Sequence, residues 1–133
     1  MSDDALTGLR LLVVEDDAMV RDVVVRTARG WGLHVDQADG GTPAKTLLAD
    51  NDYDVVISDL KMPDVSGLEV LESARACCPH AALILITGFA DDGVEELVKG
   101  SGGLLVHKPF NMERLRDALG WAKERLQEPH GSG

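Results

Sequence analysis

Short apolar runs alternate along this chain with longer stretches in which apolar residues recur every three to four positions. Leu9 to Val14 is apolar except for Arg10 and ends abruptly in Glu15-Asp16-Asp17, the profile of a buried strand opening into a polar loop. From Ala18 onward Val20, Val23, Val24, Thr27 and Trp31 follow helical spacing, with Asp17 placed to cap the helix and Gly30 and Gly32 marking its end. Leu33 to Ala38 predicts a second, weaker strand. Gly40-Gly41 and then Thr42-Pro43, read as a cap followed by a proline at the first helical position, open a helix reaching about Asp50. Val55-Val56-Ile57-Ser58 is β-branched and apolar and runs straight into Asp59, a third strand.

Leu68, Leu71 and Ala74 mark a helix face that Pro79 closes, and Leu83 to Ile86 predicts a fourth strand. The next helix, Val94 to Lys99, is expected to be short, because Gly93 sits in its first turn and Gly100, Gly102 and Gly103 crowd its end. Leu104 to His107 makes a fifth strand. Asn111 is positioned to cap a last helix whose Met112, Leu115, Leu119, Ala122 and Leu126 form one apolar stripe. Strict β/α alternation implies an α/β domain: a doubly wound, five-stranded parallel sheet with right-handed crossovers and helices on both faces. In such sheets functional groups collect beyond the carboxyl ends of the strands.

Composition narrows the options. With 133 residues, 44% hydrophobic and 27% charged, the chain is sized for one globular domain. Its apolar runs are too short to cross a bilayer, and the acidic Met1-Ser2-Asp3-Asp4 start lacks the features of a secretory signal, so a cytoplasmic location is expected with no membrane contact. A net charge of −10 opposes binding to nucleic acid. Cys77 and Cys78 are adjacent, which suits neither a disulfide framework nor a zinc site.

Four strand ends carry chemistry: Glu15-Asp16-Asp17, Asp59, Thr87 and Lys108. Carboxylates gathered in one pocket repel and call for a hard, oxygen-preferring cation, Mg²⁺ or Mn²⁺. An aspartate nucleophile, a cation, a lysine and a hydroxyl together make the set needed for phosphoryl transfer.

These residues resemble the receiver domain of two-component response regulators. The resemblance rests on Leu11 to Asp17, Val55 to Gly67, Ile86-Thr87-Gly88 and Lys108-Pro109-Phe110, four motifs in order. It implies a flavodoxin-like strand order 2-1-3-4-5, with residues 1–8 as a tail, 9–127 as the receiver domain and 128–133 as a tail or linker. It further implies that Asp59 is the phosphoacceptor, that Asp16 ligates the metal directly and Glu15 through water, and that Lys61 offers its backbone carbonyl. Thr87 resembles the switch hydroxyl, Lys108 the lysine paired with the phosphoryl group, and the Lys108-Pro109 bond is expected to be cis. The implied partners are a histidine kinase or histidine phosphotransfer protein and a downstream protein or effector domain. The implied activity is that of a phosphoacceptor with at most autophosphatase activity, not an enzyme proper. Leu105 departs from the pattern, standing where the family usually has an aromatic residue. Lys61 and Phe89 fall at variable positions expected to tune phosphoryl lifetime. Two other readings compete: a metal-dependent phosphatase with an aspartyl nucleophile, and a docking pseudo-receiver that takes no phosphate.

Overall fold

Each strand carries apolar side chains on both faces, so it can be satisfied only between two layers of helices. In the computed structural model, which describes residues 6–88 and 92–127, the order is β1 (Arg10–Val14), α1 (Ala18–Gly30), β2 (His34–Ala38), α2 (Gly41–Asp50) and β3 (Val55–Asp59). Then come α3 (Gly67–Cys77), β4 (Ala82–Thr87), α4 (Asp92–Gly100), β5 (Leu104–His107) and α5 (Met112–Gln127). All strand pairings are parallel, in the order β2-β1-β3-β4-β5. The doubly wound α/β expectation holds.

Successive residues of a strand face opposite ways, and the core divides accordingly. Leu11 and Val13 of β1, Ile57 of β3 and Ile84 of β4 pack with Val24 and Ala28 of α1 and Leu115 and Leu119 of α5. Leu12, Val14, Val56, Leu83 and Leu85 face the other side, against Leu48 of α2, Val70, Leu71 and Ala74 of α3 and Val98 of α4. β3 is buried along its whole length, which fixes the strand carrying Asp59 on both faces. Among the described residues no helix is long and apolar enough to cross a membrane.

Helix boundaries follow their caps, with two departures. Asp17 accepts from the Met19 and Val20 N–H groups, and Asn111 accepts from Arg114 N–H at 2.8 Å, both as the sequence leads one to expect. α2 instead starts at Gly41, and its cap position, Gly40, supplies no side chain. The missing acceptor comes from the β3–α3 loop: Asp64 takes the Gly41 N–H on Oδ1 at 3.0 Å and the Thr42 N–H on Oδ2 at 2.8 Å. Its Oδ1 also takes the Val65 N–H at 2.7 Å. Thr42 is therefore held by a cap and is not itself one, because a carboxylate distant in sequence satisfies the same N–H groups. α4 also runs longer than the expected Val94 to Lys99, from Asp92 to Gly100. The chain turns after it with Gly102 at φ +79°. Residues 1–5 and 128–133, expected as parts of the two tails, lie outside the described residues.

The Thr42, Gly41 and Val65 N–H groups hold the Asp64 carboxyl far below the usual aspartate range. Because the folded value is depressed, the carboxylate's contribution is complete above about pH 4, the ordinary aspartate value, and is lost as pH falls through the folded value. Asp64→Ala is expected to lower the urea midpoint at pH 7 and to make less difference at pH 2. Equal deficits at both pH values would show that the carboxylate charge contributes nothing.

Candidate functional site

The register of β1 against β3 places the two acidic strand ends side by side. Val14 pairs with Ser58, so Glu15 leaves β1 level with Asp59 at the end of β3. Asp59 in turn pairs with Ile86, one residue before Thr87 closes β4, and Thr87 pairs with His107, one residue before Lys108. The sheet thus delivers Glu15, Asp16, Asp59, Thr87 and Lys108 to one edge. Main-chain bonds tighten the rim: Leu60 N–H to Ile86 O at 2.9 Å and Lys108 N–H to Thr87 O at 2.8 Å.

Carboxylate oxygens of Glu15, Asp16 and Asp59 all lie within 4.8 Å of one another. Glu15 and Asp59 are buried, at 3% and 8% exposure, while Asp16 is open to solvent. Lys108 reaches in with Nζ 3.1 Å from Glu15 Oε1 and 3.3 Å from Asp59 Oδ2. Burial pulls its pKa down, but the two carboxylates outweigh that and leave it raised. Glu15 also accepts the Asp17 N–H on Oε2 at 3.2 Å. Burial pushes the Glu15 carboxyl up to about 7, with Asp59 adding to the rise while the Asp17 N–H and Lys108 oppose it.

One ammonium against three carboxylates leaves the cluster short of positive charge. An all-oxygen donor set of this sign fits a hard divalent cation such as Mg²⁺ or Mn²⁺. Thr87 is buried, at 2% exposure, at the end of the strand beside Asp59. Lys61 lies in the loop just beyond β3 with its side chain exposed. Phe89 lies outside the described residues.

Two features give the loop after β3 its shape. Gly67 N–H donates to Leu60 O at 2.8 Å, and a Cβ at Gly67 would be driven into the Asp59 carbonyl oxygen. The glycine is thus required by close approach to the acidic residue itself, a role that turn chemistry alone does not reveal. Ser66 caps α3, its side chain accepting from Glu69 N–H. The Lys108-Pro109 bond is cis, as expected. Leu105 is half-buried and packs against the core on the α2/α3/α4 side of the sheet, so no ring occupies that position. The Asp17 carboxylate is engaged in capping α1.

The sequence pattern of the response regulator receiver domain matches residues 11–120. The chain is 31% identical over 124 residues to the chemotaxis protein CheY-3 of Vibrio cholerae, covering 90% of this chain and 95% of that protein. It is 29% identical over 120 residues to the transcriptional regulatory protein ZraR of Salmonella typhimurium, covering 89% of this chain but only 27% of that longer protein. Among solved structures, a CheY-like response regulator receiver domain protein from Methanospirillum hungatei superposes with a TM-score of 0.82 at 27% identity, covering 96% of this chain and 100% of that one.

Gly67→Ala tests the close approach. Overpacking against main chain is expected to cost about 1–3 kcal/mol in urea unfolding, together with weaker Mg²⁺ binding as the Asp59 backbone is displaced. Wild-type stability and affinity in this variant would show that the contact is relieved at no cost.

Proposed function

The chain belongs to the response regulator receiver domain family, and on that premise we propose that Asp59 takes a phosphoryl group from a histidine kinase or histidine phosphotransfer protein. An Asp59 carboxylate oxygen attacks phosphorus as the bond from phosphorus to the donor histidine nitrogen breaks with its electron pair going to nitrogen, leaving an aspartyl phosphate on the chain and, with the donor's other ring nitrogen carrying a proton, a neutral histidine on the donor. The observation that carries this reading is Lys108 Nζ standing between Glu15 and Asp59 within the three-carboxylate cluster.

Asp16, Asp59 and the backbone carbonyl of Lys61 would hold Mg²⁺ or Mn²⁺, with Glu15 reaching it through water. When bound, the cation supplies charge neutralisation at the phosphoryl oxygens. Lys108 is positioned to exchange one of its carboxylate partners for a phosphoryl oxygen. Thr87 would donate its hydroxyl to another. Asp59 is delivered by a strand packed on both faces, so its carboxylate keeps a fixed approach to the incoming group. Phosphorylation then biases the domain toward a conformation read by a downstream protein or effector domain, and autophosphatase activity resets it. We infer a cytoplasmic location, with neither membrane nor nucleic acid bound by this domain itself. Its net charge of −10 disfavours a phosphate backbone.

Incubation with acetyl phosphate and Mg²⁺ is expected to add one phosphoryl group by intact mass. Asp59→Asn and excess EDTA should each abolish the gain. Lys108→Ala should slow it by about 10²-fold or more, in line with the loss of one preorganised charge-stabilising group. Labelling that survives Asp59→Asn would end this reading. The rate of phosphate loss from Lys61→Ala, compared with wild type, tests whether that exposed side chain tunes lifetime.

A further inference from the structure

Arg21 lies on α1 behind the acidic loop and is half-buried. Its Nη1 donates to the Glu15 carbonyl oxygen at 2.8 Å, and its Nε donates to Gln37 Oε1, near the end of β2, at 3.2 Å. Resting on the function proposed above, we propose that Arg21 is a positioning residue for the cation site, acting through the peptide that joins Glu15 to Asp16.

Glu15 is held from several sides. Its N–H donates to Ala38 O at 3.1 Å, and its two carboxylate oxygens meet the Asp17 N–H and Lys108. Its carbonyl is held by Arg21. The peptide unit is planar, so fixing that oxygen also fixes the nitrogen and Cα of Asp16. Asp16 is the exposed member of the carboxylate cluster and lacks the packing that holds Glu15 and Asp59. Its direction is therefore inherited from the backbone that Arg21 grips.

A guanidinium suits this task because its planar fork serves two acceptors at once, which a lysine ammonium does less well. Its positive charge, taken alone, would repel a cation, so charge and geometry act with opposite signs. The charge effect is only partly screened, since the guanidinium is half-buried while Asp16 is exposed. Loss of an outer-shell orienting partner weakens metal binding about 10–100-fold. Geometry outweighs charge.

The test is calorimetric titration of Mg²⁺ into the full chain, comparing wild type with Arg21→Met, Arg21→Lys and Gln37→Ala, with thermal melts of each in EDTA. Arg21→Met is expected to weaken Mg²⁺ binding about tenfold or more. Arg21→Lys should recover part of that affinity through one bond to the Glu15 carbonyl, and Gln37→Ala should give a smaller loss. With acetyl phosphate, Arg21→Met should need more Mg²⁺ for half-maximal labelling of Asp59 yet reach the wild-type maximum rate when Mg²⁺ saturates. A merely structural role would lower the melting temperature without this division. Affinity in Arg21→Met equal to or tighter than wild type overturns the proposal. If Arg21→Met does not fold, Arg21→Lys and Gln37→Ala decide, and wild-type affinity in both overturns it equally. If wild type itself takes neither Mg²⁺ nor phosphate, the proposed function falls and Arg21 with it. Normal wild-type binding matched by the variants removes only the role of Arg21.

Discussion

Three carboxylates gathered together, two of them paired with one lysine, form the arrangement around which the open edge of this sheet is organised. Glu15, Asp16 and Asp59 come from two neighbouring parallel strands whose register leaves them level, and like charges so placed must be compensated. Lys108, arriving from the last strand, compensates in part. Burial raises the pKa of Glu15, and the neighbouring Asp59 carboxylate adds to the rise. Neither layer of helices can relieve this, since β3 is packed between them and Asp59 has nowhere to retreat. The family's use of a divalent cation and a phosphoryl group follows the same electrostatics: the pocket favours added positive charge and can then tolerate an added anion.

Much of the architecture was legible because parallel strands buried on both faces read as apolar runs, and four of the five runs here end at or beside one of the polar residues Glu15, Asp59, Thr87 and Lys108. Val55 to Ser58 leading into Asp59 is the plainest instance. The caps at Asp17 and Asn111 were legible for a similar reason, since donor and acceptor lie within a few residues of one another. The start of α2 was misplaced because its cap is Asp64, a side chain on another loop. Local pattern cannot carry a bond that closes only after the sheet has formed.

The same limit applies at the site. Glu15, Asp16, Asp59, Thr87 and Lys108 each announce themselves as polar residues at strand ends. Arg21 does not, because an arginine on a helix reads as part of a solvated face, and its bond to the Glu15 carbonyl depends on how α1 settles against the loop. Gly67 was visible only as the end of the Val55 to Gly67 motif, and its contact with the Asp59 carbonyl was not. Leu105 was legible as a substitution, and its packing toward α2, α3 and α4 now defines what occupies that place.

Gly67 roofs the main chain of Asp59 so closely that a methyl group does not fit, and the next peptide is bonded to it. Asp59 is therefore clamped from above by the first turn of α3 while β1 and β4 flank it. Movement asked of Asp59 falls to its side-chain torsions, with the trunk of the strand standing still like an anvil.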